Sequence, residues 1–202
     1  MAKKVLRIIS SPRGEASVSI KLGNAIVEKI KEKYADSVVK ERDLTKTLFP
    51  HLDEALINSF FTPADSLSAE QLEMVKQSDE AIAELQEADI YVIDAPFYNF
   101  AIPSTLKAYI DHIARSGITF RYNENGQPEG LLKNKKVYVA IASGGVYSEG
   151  VLQSFDFVSP YLKFILGFFG ITDVTIIRAE GLVIDGIKET AFEKGVESIV
   201  ID

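Results

Sequence analysis

The chain has no cysteine among its 202 residues and only two histidines. Without cysteine there is no disulfide, no thiolate zinc site, no iron–sulfur cluster and no cysteine nucleophile, so any redox chemistry must be carried by a bound cofactor. The histidines, His51 and His112, are far apart, and no G-x-S-x-G elbow accompanies them, which argues against a serine hydrolase. They read instead as a loop residue and a helix residue near the rim of a site. No H-E-x-x-H or comparable ligand set marks a metal centre. No apolar run approaches the roughly 18 residues of a membrane helix, and Lys3-Lys4 is not followed by the apolar region of a secretory signal, so a cytoplasmic protein is expected. The formal charge of −7 is interrupted by no dense Lys/Arg cluster, so neither nucleic acid nor a membrane is expected as a partner. No repeat, low-complexity tract or Pro/Gly/Ser-rich linker divides the chain, and residues 1–202 are expected to form one domain.

What is present is an alternation of short apolar runs and amphipathic stretches. Lys4 to Ile9 is rich in β-formers and ends in Ser10-Ser11-Pro12-Arg13-Gly14, a loop; a helix follows, capped by Ser17 or Ser19. Val38 to Leu44 reads as a charged edge strand, Leu52 to Thr62 is ambiguous, and Ser68 to Ala88 is a long helix with a Ser-x-Glu-Gln start. Ile90 to Ala95 and Val137 to Ala142 are uninterrupted apolar strands, and Val174 to Arg178 is a fifth. Helices are expected from Pro103 to Ser116, from about Phe155 to Phe169 and at the end of the chain, with Asn123-Glu124-Asn125-Gly126 as a turn inside an irregular excursion that runs to Asn134. Five strands separated by helices, the central ones apolar on both faces, predict an α/β domain: a flavodoxin-like, doubly wound, five-stranded parallel sheet of order 2-1-3-4-5.

In such a sheet the loops after the first, third and fourth strands share one edge. The first, "SSPRGEASVS", delivers serines onto a helix start, where unpaired amides and hydroxyls suit a phosphate dianion; an ordinary capped helix start would read the same way. It matches neither G-x-x-x-x-G-K-S/T nor G-x-G-x-x-G. The second carries Phe97, Tyr98, Asn99 and Phe100, flat apolar surface beside an amide that donates and accepts, although the rings could simply pack under the sheet edge. The third carries Gly144 and Gly145, which let backbone amides approach a planar ligand. Taken together the loops suit an isoalloxazine ring with its ribityl phosphate, and the expected cofactor is FMN.

At these residues the chain resembles the bacterial FMN-dependent NADH-azoreductases, flavodoxin-like homodimers also active as quinone reductases. The resemblance covers nearly the whole chain and rests on "SSPRGEASVS", "PFYNFAIPSTLKAYIDHIARSGITFRY", "NGQPEGLLKNKK", the "SGG" turn and "LGFFGITDV". It implies that Ser10, Ser17, Val18 and Ser19 hold the FMN phosphate, that Pro96, Phe97, Tyr98, Asn99 and Phe100 line the flavin with Asn99 reading its pyrimidine edge, and that Ser143, Gly144 and Gly145 cover the other polar side. Phe120 would approach the substrate from the partner subunit of a homodimer. The family often has methionine at Phe97 and one more residue in the Ser-Gly-Gly turn.

The chemistry expected is ping-pong hydride transfer from NADH or NADPH through FMN to a small azo or quinone acceptor. Tyr147 is a candidate proton donor, and Phe60 and Phe61 are candidate walls of the substrate pocket beside Phe97 and Phe120. The alternative is a flavodoxin-like electron carrier that serves protein partners.

Overall fold

The computed structural model describes residues 2–202. The chain runs β1 (Lys4–Ile9), α1 (Val18–Lys33), β2 (Val38–Asp43), α2 (Glu54–Phe61), α3 (Ala69–Glu87), β3 (Ile90–Pro96), α4 (Ser104–Ile113), β4 (Phe120–Tyr122), β5 (Pro128–Gly130), β6 (Lys136–Ala142), α5 (Ser159–Phe168), β7 (Asp173–Ala179) and α6 (Ala191–Glu197). Five strands pair in parallel in the order β2-β1-β3-β6-β7, the flavodoxin-like order expected from the sequence. The register sets Ile9 beside Asp94, and Pro96, Ala142 and Ala179 in one row, so β1, β3, β6 and β7 end on one edge.

Helices cover both faces of the sheet. On one face Leu22, Ile26 and Ile30 of α1 pack with Val5, Val92 and Tyr138; on the other Leu106 and Ile110 of α4 and Leu162 of α5 pack with Ile8, Ile93 and Ile141. Every residue of β3 is buried, which is why its sequence lacks alternation. Edge strand β2 has no buried residue. Helix α1 begins with Ser17 as its cap, the Ser17 hydroxyl accepting from the Ile20 amide at 3.4 Å, and α3 opens with a complete capping box between Ser68 and Gln71.

Three expectations are revised. The ambiguous stretch contains α2, whose start is capped by the Asp53 carboxylate accepting from the Leu56 amide at 2.8 Å. The helix expected from Phe155 begins at Ser159, because the Asp156 carboxylate takes the amides of Val158 and Ser159 at 2.9 and 3.0 Å and a short 3-10 turn precedes it. The excursion before β6 contains an antiparallel hairpin, β4–β5, closed by the Asn123 side chain accepting from the amides of Asn125 and Gln127. That hairpin lies against the end of α5: a Cβ added at Gly130 would stand 2.0 Å from the Gly170 nitrogen. Among the described residues no helix is long and apolar enough to cross a membrane.

Candidate functional site

The carboxyl ends of β1, β3 and β6 carry the three loops singled out above. Ser10 is fully buried, and its hydroxyl donates to the carbonyl of Asp94 at 2.7 Å. Ser17 and Ser19, also buried, share a hydrogen bond at 3.0 Å between their hydroxyls. Among the described residues the amides of Val18 and Ser19 find no acceptor, as expected in the first turn of a helix. Unpaired amides at the positive end of a 16-residue helix, beside two buried hydroxyls, fit a phosphate dianion.

The aromatic loop is a rigid turn. Tyr98 and Ala101 exchange backbone hydrogen bonds at 3.1 and 3.0 Å around Asn99 and Phe100, whose φ angles are +50° and +67°. Two successive positive φ angles define the tight hairpin turn of type I′. Asparagine tolerates that conformation; for phenylalanine it is strained by about 1 kcal/mol. The Phe100 carbonyl is held by the Phe157 amide at 3.2 Å. Phe97 is half-buried and stacks on Tyr147, ring centroids 4.3 Å apart and planes inclined by 18°.

The glycine turn is fixed through its carbonyls. The amides of Gly181, Leu182 and Val183 donate to Gly145, Ser143 and Gly144 at 3.0, 3.2 and 3.2 Å, while the amides of Gly144 and Gly145 donate to no described residue. Arg178 extends the support: it pairs with Asp156 at 2.6 Å and Glu180 at 3.1 Å, and Glu180 accepts the Tyr147 amide at 3.0 Å. Hydrogen bonds from Ser159 and Arg178 hold the Asp156 carboxyl below its ordinary range despite its burial.

Beside the serine and aromatic loops lies a cleft of about 1030 Å³, walled by Ser10, Tyr98, Asn99, Thr105, Phe157 and Tyr161 among others. The volume and mainly apolar lining suit a cofactor with room for a second planar molecule. Thr105, Phe157 and Tyr161 were not anticipated from the sequence: Thr105 follows the aromatic loop in the first turn of α4, while Phe157 and Tyr161 are brought in by the start of α5.

Of the candidates only Ser10, Tyr98 and Asn99 wall this cleft; the serines of the α1 start, Phe97, Phe100 and the glycine turn are not among its walls. Phe120 begins β4 and packs on Phe168, centroids 4.5 Å apart, outside the cleft wall of its own chain. Phe60 and Phe61 line a separate cavity of about 580 Å³, where the Phe60 ring stands over the Arg115 guanidinium at 4.2 Å. His112 is not at a rim: it is fully buried, its Nε2 donates to the Pro50 carbonyl at 2.9 Å, and Phe49 and Phe60 meet its ring edge-on. Burial lowers its pKa.

A charged pair beneath the cleft also escaped the sequence reading, although an aspartate in the apolar run "IYVIDAP" and an arginine in "KVLRII" were its signals. Asp94 and Arg7 pair at 2.8 Å, 0% and 5% exposed. Burial pushes the Asp94 carboxyl up to about 7, against the pull of Arg7. Among the described residues no cluster of His, Asp and Glu could hold a metal ion.

Comparison with known proteins places this geometry in a family context. A family model for the flavodoxin-like fold matches residues 3–200. The chain is 50% identical over 179 residues to an FMN-dependent NADH:quinone oxidoreductase of Herminiimonas arsenicoxydans, covering 89% of this chain and 87% of that one. It is 51% identical over 178 residues to FMN-dependent NADH:quinone oxidoreductase 6 of Burkholderia lata, covering 88% of each. Among solved structures it superposes on an azoreductase from Bacillus anthracis with a TM-score of 0.88 and 33% identity over 98% of this chain and 96% of that one. An FMN-dependent NADH-azoreductase from the same species, solved in complex with FMN, gives a TM-score of 0.84 and 30% identity over 96% and 97%.

Proposed function

We propose, from the premise that this chain belongs to the flavodoxin-like family of FMN-dependent NADH:quinone oxidoreductases, that it passes electrons from NADH or NADPH through FMN to quinones and azo compounds. The observation that carries the reading is the convergence on one sheet edge of unpaired helix-start amides, a rigid aromatic turn and free glycine amides, with an apolar cleft walled by Ser10, Tyr98 and Asn99 at that edge.

When bound, FMN supplies the chemistry, taking a hydride from the nicotinamide and returning two electrons to the acceptor that replaces it. The chain supplies position. Ser10, Ser17 and Ser19, with the amide of Val18, hold the phosphate. Pro96, Phe97, Tyr98, Asn99 and Phe100 line the flavin ring, with the Asn99 amide reading its pyrimidine edge. Ser143, Gly144 and Gly145 flank the other polar side, where backbone donors favour negative charge. Tyr147, held against Phe97, brings a phenol into the same cluster as a proton donor.

The site is completed by a second copy of the chain. On α5, Tyr161 walls the cleft, Phe164 is 71% exposed, and Phe168 packs on Phe120. Spaced three and four residues apart, they form one apolar stripe from the cleft to Phe120. A homodimer would bury this stripe and bring Phe120 of each subunit over the other's cleft, with Phe60 and Phe61 at its margin.

The test is anaerobic: load the purified protein with FMN and follow the flavin absorption on adding NADH, then a quinone. Bleaching followed by recovery is the expected result. Bound flavin that neither NADH nor NADPH bleaches would mark a carrier of electrons between proteins, and failure to bind FMN would overturn the reading.

A further inference from the structure

We propose that the buried Arg7–Asp94 pair is the positioning clamp of the phosphate cradle, setting the first turn of α1 where its amides and the Ser17 and Ser19 hydroxyls can meet the FMN phosphate together. The inference rests on the reading of this edge as an FMN site.

Arg7 lies on β1, three residues before Ser10, and its guanidinium reaches three other elements. Nε and Nη2 donate to Asp94 Oδ2 on β3 at 3.1 and 2.8 Å, and Nη1 donates to Glu41 on β2 at 3.1 Å. Two further bonds go to α1: Nη1 to the Asn24 side chain at 2.5 Å, and Nη2 to the Ile20 carbonyl at 2.8 Å. Ile20 is the residue whose amide the Ser17 hydroxyl caps. The cradle's cap and the clamp therefore grip the two ends of one residue in the helix's first turn.

Asp94 touches the other half of the cradle. Its carbonyl accepts the Ser10 hydroxyl, and its carboxylate lies directly under α1, so that a Cβ added at Gly23 would fall 1.8 Å from Oδ1. Glycine at position 23 is what lets the helix approach this closely. Strand, helix and serine loop are thus referred to one point.

Stability alone does not explain the pair. Asp94 is fully buried, and among the described residues its Oδ1 has no hydrogen-bond partner, which is a penalty rather than a gain. Replacing a buried ion pair by apolar side chains is often neutral or stabilising. What the pair supplies, and an apolar contact does not, is direction: a planar fork fixed on a carboxylate presents its remaining donors at defined angles. Here one of those donors fixes the carbonyl of Ile20.

A directional role makes the clamp matter for the phosphate and not for the ring. FMN and riboflavin differ by that phosphate, so their dissociation constants should be measured by flavin fluorescence titration of the full chain. The proteins are wild type, Asp94→Asn and the double variant Arg7→Met with Asp94→Ala. In both variants FMN binding should weaken about tenfold or more, as for loss of charge-assisted positioning, while riboflavin binding stays within about twofold. The double variant should keep its melting temperature. Equal losses for the two flavins, or unchanged FMN binding, would overturn the proposal. If the double variant does not fold, Asp94→Asn, which keeps the volume beside Gly23, decides by the same comparison. Wild-type protein that binds neither flavin would overturn the FMN reading itself.

Discussion

His112 shows how far one side chain's environment can depart from its local sequence. The Pro50 carbonyl can only accept, so the hydrogen sits on Nε2, and among the described residues no donor meets the buried Nδ1. The neutral ring is tolerated there and the charged ring is not. The folded-state pKa therefore lies below the ordinary 6.5, and the unfolded chain takes up the proton first as the pH falls. Stability should drop as the pH is lowered through 6.5, by at most about 1.4 kcal/mol per pH unit from this one group. His112→Gln, which can still donate to Pro50, should show a smaller fall in urea midpoint between pH 7.5 and 5.5. Asp94 titrates in the opposite sense in both proteins and cancels from the difference. No local pattern announces this burial: Phe49 and Pro50 come from a loop 62 residues earlier in the chain.

Among the elements, the main strands and helices of the sheet follow from local signals. The apolar runs "IYVIDA" and "VYVAIA" lie within β3 and β6, and the Ser68 start becomes a capping box. The β4–β5 hairpin does not, because its strands have three residues each, too few to establish a period. It is held from outside: Gly130 lies on the backbone of Phe169 and Gly170, and the Leu132 amide donates to the Phe169 carbonyl at 2.9 Å. Gly130→Ala should therefore lift the hairpin from α5, at a destabilisation of about 1–3 kcal/mol typical of overpacking. Hydrogen exchange should speed up in residues 117–134 while β1, β3 and β6 remain protected; uniform exchange across the chain would show that the hairpin is not a separate unit.

At the scale of the whole molecule, the exposed phenylalanines around α5 are unlike the surface of a finished monomer. Phe164 is 71% exposed, Phe157 59% and Phe155 46%, close to the rim of the cleft. If the proposed dimer forms through this stripe, wild type should run as a dimer by light scattering and Phe164→Glu as a monomer with sharply reduced turnover, since Phe120 would no longer be brought to a partner's cleft. FMN binding should persist, because Phe164 is not among the residues that wall the cleft. A variant that stays dimeric would place the subunit contact elsewhere.

The amino-acid order by itself determined the alternation of strands and helices, the parallel doubly wound sheet and the three loops that meet on one edge. Those features follow from short-range periodicity and from the rule that parallel strands joined by crossovers end together. It also marked the serine, aromatic and glycine loops, whose composition is unusual for a turn. The tertiary structure decided what depends on distant partners: Arg7 paired with Asp94 across 87 positions, His112 enclosed by the loop before α2, and Phe120 resting on α5. The physical reason is range, since hydrophobic period and capping act within a few residues, whereas burial and charge pairing are set by whichever segments the fold brings into contact.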